Sequence, residues 1–145
     1  MVDVGGKSVT LRVATAKSQL KMSLLVADAI RNSEVAKGDV LNVARIAGIQ
    51  AAKQTSNLIP LCHLLPLDQV QLSSRWMSDC ELEWTAEVRV SGKTGVEMEA
   101  MVAVSIAALT VYDMCKALDR SMEITHVGLW AKNGGASGNY QRIQD

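Results

Sequence analysis

The feature that most constrains this chain is a twelve-residue stretch that contains no charged side chain. From Ala100 to Val111 the residues are mainly Ala, Val, Ile, Leu and Met, which predicts a long helix over about 96–118. A helix that is apolar on every side is normally buried on every side. The length of 145 residues predicts one domain over residues 1–145 with one small sheet. Because such a sheet cannot cover every side of the helix, we expect a second subunit to cover the rest.

Shorter segments with strand and helix patterns flank this helix. Residues 8–18 alternate and predict a strand that groups Val9, Leu11 and Val13 on one face. Asp39 is a good N-cap for a helix that runs to about Thr55. The order strand, helix, helix, strand, strand, helix, strand predicts an α+β fold, a ferredoxin-like antiparallel sheet with helices packed on one face. The other predicted elements are a helix over about 24–31, a hairpin over about 69–76 and 81–90 with one face in water, and a last strand over about 122–131.

The overall composition excludes several classes of partner. Fifteen Lys and Arg residues balance fifteen Asp and Glu residues, and three Trp, two Tyr and no Phe leave little material for stacking on bases. No apolar run reaches the roughly 20 residues of a membrane span, and residues 1–7 lack the pattern of a secretory signal. Since three widely spaced cysteines argue against a disulfide framework, we expect a soluble, cytoplasmic protein with no nucleic-acid or membrane partner.

The segment Gly92-Lys93-Thr94 precedes the long helix and has part of a phosphate-binding pattern. The P-loop motif needs a glycine where this chain has Glu87, so that motif is absent. The open N-terminus of the helix, with Lys93 beside it, still predicts an anion site. Glu97 and Glu99 are either functional residues or structural ones, because carboxylates in the first turn of a helix also stabilise that helix through its dipole.

A second group of polar residues has no metal-binding spacing. Cys62 and His63 are adjacent in the chain, so their side chains point apart, and no CxxC or HxxxH pattern occurs. A single histidine in an apolar stretch, such as His63, is more often a core residue. Asp113 and Lys116 share a helix face and predict a local ion pair. The helix dipole disfavours Asp near a C-terminus, which indicates another role for Asp113. Four scattered bases are either solvated surface or, where they converge, a polyphosphate site: Lys37, Arg45, Lys53 and Lys132.

Five segments carry longer patterns: Lys37–Val40, Ala44–Lys53, Ile59–His63, Gly92–Ala100 and Ala107–Lys116. Together they resemble the cyclic pyranopterin monophosphate synthase family of molybdenum cofactor biosynthesis, and the resemblance extends from about residue 2 to residue 138. The chain departs from the family pattern at Leu64, where proline is usual, and at Ala136, where lysine is usual. The resemblance implies that the first departure loosens the loop that holds His63 and that the second removes one phosphate contact.

The resemblance implies an enzyme that acts on a cyclic dihydroguanosine triphosphate, which a partner radical enzyme makes from GTP. Members of the family rearrange it to cyclic pyranopterin monophosphate and release pyrophosphate. The resemblance also implies a homohexamer built as a trimer of dimers, no tightly bound cofactor, and Mg²⁺ that arrives with the triphosphate. At the matching positions, Asp113 is the catalytic acid/base and Lys116 is its neighbour. The residues placed at the substrate are Leu61, Cys62, His63, Met98 and Glu99, together with Glu97, Lys37, Lys53 and Lys132.

Two other functions fit the same residues. The bases are able to hold a nucleoside triphosphate without turning it over, as in a non-catalytic nucleotide-binding oligomeric module. The long apolar helix alone fits a purely structural oligomer. The pair Asp113 and Lys116 discriminates between these functions, because only an enzyme needs an acid/base pair.

Overall fold

Residues 1–135 and 138–143 are described by a computed structural model, and Ala136, where the family pattern has a lysine, lies outside them. Within these residues strands and helices follow each other largely in the predicted order. In chain order the elements are β1 (Thr10–Lys21), α1 (Leu24–Arg31), α2 (Val40–Lys53), α3 (Thr55–Leu58), β2 (Gln69–Ser78), β3 (Glu81–Gly92), α4 (Glu97–Cys115), β4 (Glu123–Asn133) and β5 (Tyr140–Gln141).

The strands form an antiparallel sheet in the order β2-β3-β1-β4-β5. β1 pairs with β3 on one side and with β4 on the other, and β2 and β3 form the predicted hairpin. α2 and α4 pack against each other and against the strands. The predicted α+β fold class, with helices on an antiparallel sheet, is therefore confirmed, and β5 is an addition that the sequence did not indicate.

The two long helices approach each other closely. A β-carbon built on Gly48 of α2 would lie 2.7 Å from the carbonyl oxygen of Ala103 and 3.3 Å from the side chain of Ala107, so no larger residue fits there without a shift. α2 begins as predicted, because the Asp39 carboxylate accepts a hydrogen bond from the N–H of Asn42 at 3.1 Å. This close packing fixes the middle of α4 against α2.

The first strand buries a different face from the one that its apolar residues predict. Val9 precedes β1 and is 62% exposed, and Leu11 is 61% exposed. The buried face consists mostly of small side chains, because α4 packs directly on β1. The hydroxyl of Ser18 donates to the carbonyl oxygen of Val104 at 2.9 Å within this contact. The buried residues of β1 are Ala14, Ala16, Ser18 and Leu20.

The hairpin face that the sequence predicts to be in water contains a buried carboxylate. Glu83 is only 4% exposed, and its Oε1 lies 3.1 Å from Lys17 Nζ and 3.0 Å from Arg75 Nη2. Burial opposes ionisation of Glu83, but hydrogen bonds from Lys17, Gln19 and Arg75 outweigh it and lower its pKa. The prediction is wrong at Glu83 because its partners come from β1 and β2, which alternation within β3 does not reveal.

α4 is the long helix predicted from the charge-free stretch. Its inner side is fully buried, including Ala103, Val104 and Val111, whereas Leu109 is 51% exposed. α4 has the length and apolar composition of a membrane-spanning helix, but half of it is buried within the chain, as in the core helix of a soluble protein. Coverage of the exposed side by a second subunit stays a prediction.

Candidate active site

A cavity of about 440 Å³ lies between the N-terminal segment, the loop after α3 and the start of α4. We call it the main cavity. The loop turns at Pro60, where the N–H of Cys62 donates to the carbonyl oxygen of Ile59 at 3.1 Å. The six residues of this region that the resemblance places at the substrate all line the cavity: Leu61, Cys62, His63, Glu97, Met98 and Glu99.

Glu99 is the buried acid of the main cavity. It is only 4% exposed, although carboxylates are rarely buried without a partner. Burial raises the pKa of Glu99, and the neighbouring Glu97 carboxylate raises it further. Burial also raises the pKa of the Cys62 thiol, and the charge of Glu99 adds to that effect. A carboxyl group with raised proton affinity inside a cavity is suited to hold and release a proton.

A second cavity of about 270 Å³ adjoins the main cavity, and we call it the basic cavity. The two share several lining residues, Lys7 and Glu97 among them. Lys7, Arg12 and Lys132 supply three cations to the basic cavity, and Lys132 Nζ lies 3.4 Å from Glu97 Oε1. Ammonium and guanidinium groups around a cavity suit a phosphorylated ligand, because each supplies donors and charge to phosphate oxygens.

Lys7 and Arg12 are functional candidates that sequence reasoning missed. Lys7 follows two glycines near the N-terminus, and Arg12 alternates within a strand, which are patterns typical of a tail and of a solvated face. In the structure the Arg12 guanidinium donates to the carbonyl oxygens of Gly92 at 2.9 Å and Lys93 at 3.2 Å. β1 pairs with β3 so that Thr10 lies opposite Gly92, and this pairing brings Arg12 to the start of α4. No local pattern marks that pairing.

The anion site predicted at the N-terminus of α4 stays a prediction: Thr94, Gly95, Val96 and Glu97 line the basic cavity there, whereas Lys93 does not. The Lys93 ammonium donates to the carbonyl oxygen of Gly5 at 2.8 Å, and Lys93 lines neither cavity. Glu97 and Glu99 occupy the first turn of α4, where they complement the helix dipole, and they also line the main cavity. Their place in the first turn fits the structural interpretation, and their functional role stays a prediction.

At the opposite end of α4, Asp113 lies between two lysines. Lys116 Nζ is 2.6 Å from its Oδ1, which confirms the predicted local pair, and Lys37 Nζ is 2.8 Å from its Oδ2. We call these three residues the Asp113 cluster. Hydrogen bonds from Lys116 and Lys37 lower the pKa of Asp113 to about 2. In one chain this pair is in contact with solvent, because the side chains of Asp113 and Lys116 are 55% and 51% exposed.

The Asp113 cluster and the main cavity are separated along α4. Glu99 and Asp113 are fourteen residues apart. At 1.5 Å per residue this is roughly 21 Å along the helix axis. Lys53 is also apart from the main cavity, since it lines a third cavity of about 500 Å³ that shares Leu65 with the main one. One chain therefore joins most of the implied substrate residues at two adjoining cavities, but it leaves Lys53 and the Asp113 cluster elsewhere.

Three other positions from the sequence do not extend this site. His126 lies on β4 and lines neither cavity, and its Nε2 is buried without a hydrogen-bond partner among the described residues. Arg45 Nη2 donates to Asn42 Oδ1 at 2.6 Å on α2. Leu64 is 80% exposed next to His63, and its effect on the loop stays a prediction. Within residues 1–135 and 138–143, no three His, Cys, Asp or Glu side chains gather in a way that would hold a metal ion.

Residues 1–135 match the MoaC family. The cyclic pyranopterin monophosphate synthase of Chloroflexus aurantiacus is 55% identical over 144 residues, which cover 98% of this chain and 88% of that protein. The proteins of the same name from Novosphingobium aromaticivorans and Desulfitobacterium hafniense are 53% and 51% identical, over 99% and 98% of this chain and 91% and 87% of theirs. The matched residues include the main cavity, the basic cavity and the Asp113 cluster.

Proposed function

Because the chain belongs to the MoaC family, we propose that it converts (8S)-3',8-cyclo-7,8-dihydroguanosine 5'-triphosphate to cyclic pyranopterin monophosphate and pyrophosphate. Its relatives are named cyclic pyranopterin monophosphate synthase, which makes the chain an enzyme of the lyase type in molybdenum cofactor biosynthesis. The substrate and the reaction are our proposal. The observation that carries it is the pair of adjoining cavities, one with a buried carboxyl group and one with three cations.

The two cavities divide the substrate between them. The triphosphate lies in the basic cavity, where Lys7, Arg12 and Lys132 provide positive charge. The purine-derived rings lie in the main cavity beside Met98 and Glu99. The cavities share lining residues, so one extended ligand is able to reach into both.

Release of pyrophosphate makes one bond and breaks one at the α-phosphorus. A hydroxyl oxygen of the substrate attacks this phosphorus and loses its proton, while the bond to the bridging oxygen of pyrophosphate breaks. The charge that develops on pyrophosphate is stabilised by fixed cations in the basic cavity, which need no rearrangement during the reaction. Rebuilding the ring system needs further proton transfers, for which Glu99, with its raised pKa, and Asp113, with Lys116 and Lys37, are suited.

The Asp113 cluster takes part only if another subunit presents it. We therefore include in the proposal a homohexamer built as a trimer of dimers, in which one chain's Asp113 reaches its neighbour's main cavity. The exposed side of α4 supports this arrangement, since Leu109 and Asp113 lie on it four residues apart. The proposal also includes a cytoplasmic location, a substrate supplied by the radical GTP cyclase, no tightly bound cofactor, and Mg²⁺ carried by the triphosphate.

Incubation with the cyclic triphosphate, followed by ³¹P NMR, tests the proposed function. The expected result is loss of the triphosphate signals with growth of one pyrophosphate signal and one cyclic monophosphate signal. Binding of the triphosphate without pyrophosphate release would instead identify a non-catalytic nucleotide-binding module. No binding at all would leave a purely structural oligomer. The Asp113→Asn chain is the matched control, because it keeps both cavities and should bind without turnover.

A further inference from the structure

Residues 1–8 have no regular secondary structure and contribute to the lining of the main cavity, and we call them the strap. Val2, Val4 and Lys7 line the main cavity, and Lys7 lines the basic cavity as well. The strap contains a turn, in which the N–H of Lys7 donates to the carbonyl oxygen of Val4 at 3.1 Å across Gly5 and Gly6. Through this turn the strap presents Lys7 at the junction of the two cavities.

Lys93 joins the strap to the rest of the chain. Its Nζ donates to the carbonyl oxygen of Gly5 at 2.8 Å, at the centre of the turn. Among the hydrogen bonds of the described residues, this is the one that links residues 1–8 to another element. Lys93 is itself held in place, because Arg12 donates to the carbonyl oxygens of Gly92 and Lys93. The contacts therefore run from β1 through the loop before α4 to the strap.

We propose that Lys93 is a positioning residue that holds the strap closed and so sets Lys7 against the phosphates of the bound substrate. The proposal rests on the proposed function, because it assigns phosphates to the basic cavity. Lys93 lines neither cavity, so its effect on a ligand passes through the strap. A single exposed hydrogen bond also permits the strap to open for substrate entry, because the net contribution of one such bond to stability is modest.

The first test compares Lys93→Met with Lys93→Arg, which keeps a donor for the Gly5 carbonyl. Lys21→Met is the matched control, because Lys21 is an exposed lysine at the far end of β1. In Lys93→Met we expect faster hydrogen–deuterium exchange in a peptide covering residues 1–8, measured by mass spectrometry at short labelling times. We also expect weaker pyrophosphate binding by roughly two- to tenfold, the equivalent of one hydrogen bond. Lys93→Arg should restore both quantities, and Lys21→Met should change neither.

The second test separates an indirect role from direct contact with phosphate. If Lys93 acts by presenting Lys7, then Lys93→Met should have no further effect on pyrophosphate affinity in a Lys7→Ala chain. With the full substrate, Lys93→Met should raise KM while kcat changes by less than twofold. Additive losses in the double variant, or unchanged exchange of the strap in Lys93→Met, would overturn the proposal. Pyrophosphate affinity and exchange do not depend on turnover, so these results stand whether or not the chain proves to catalyse the proposed reaction.

Discussion

Mixing two differently inactivated chains tests whether one active site draws on two subunits. The two changes are Glu99→Ala and Asp113→Ala, because these residues lie near opposite ends of α4. A helix rises 1.5 Å per residue, so the two carboxyl groups are separated by roughly 21 Å along its axis. No compact site within one chain includes both, whereas a second subunit is able to bring its own Asp113 to the main cavity.

The expected recovery follows from counting intact sites. A shared site is intact when both of the residues that it uses are wild type. Its Glu99 must then come from an Asp113→Ala chain, and its Asp113 must come from a Glu99→Ala chain. In an equimolar mixture with random pairing each condition holds half the time, so about a quarter of the sites are intact in a symmetric oligomer. We therefore expect about a quarter of the wild-type rate, with KM unchanged because the intact sites are wild type in both residues.

The assay follows pyrophosphate release after the two chains are unfolded together and refolded together. Each variant refolded alone should be inactive, and native mass spectrometry should show that mixed oligomers have formed. A mixture of Asp113→Ala with Asp113→Asn is the matched control, because no pairing of these chains restores Asp113. Absence of activity in verified mixed oligomers of Glu99→Ala and Asp113→Ala would refute the reasoning and place both residues in the site of a single chain.

Three further predictions follow from the site. Asp113→Asn should keep the thermal unfolding temperature and substrate affinity but lower kcat by roughly 10²–10⁴, the usual effect of losing a general acid or base; a normal kcat in a folded variant would remove Asp113 from the mechanism. Lys132→Ala should weaken binding of the triphosphate more than binding of a dephosphorylated analogue, measured by calorimetry, whereas equal losses would make Lys132 a structural residue. Glu99→Gln should abolish turnover yet raise the free energy of unfolding by about 1 kcal/mol at neutral pH, because it removes a buried charge. Since the folded pKa of Glu99 is raised, this gain should disappear well below pH 4.5, where Glu99 is protonated in both states, as denaturant unfolding at the two pH values would show.

The sequence predicted those features that depend on residues close together in the chain. The Asp39 cap of α2 and the pair of Asp113 with Lys116 are found as predicted, because each depends on residues three positions apart on one helix. The charge-free stretch likewise predicted α4, within one residue at its start and three at its end. The resemblance then indicated six residues of the main cavity, which lie in two segments more than thirty residues apart, but not those of the N-terminal segment.

Contacts between distant segments account for what the sequence did not predict. Burial of Glu83 depends on Lys17, which is 66 residues away, and the place of Lys37 beside Asp113 depends on a contact across 76 residues. The buried face of β1 depends on how closely α4 approaches it, which no alternation within β1 encodes. Lys7 reaches the site through the strap and Arg12 through strand pairing, so the residues next to them in the sequence do not indicate their place in the site.

The uncovered side of α4 connects the fold to the chemistry. Met101, Ser105, Leu109 and Asp113 follow each other at intervals of four residues, so they form one row on the helix, and this row is not buried by the chain itself. Whatever covers Leu109 must therefore also approach Asp113. In one chain two lysines lower the pKa of Asp113 to about 2, which makes it a weak base. Covering the row would remove water from the Asp113 cluster, so that desolvation would raise that pKa while the strengthened attraction of the two lysines would lower it. Under the proposed function, one partner would cover the apolar side of α4 and at the same time change the proton affinity of Asp113.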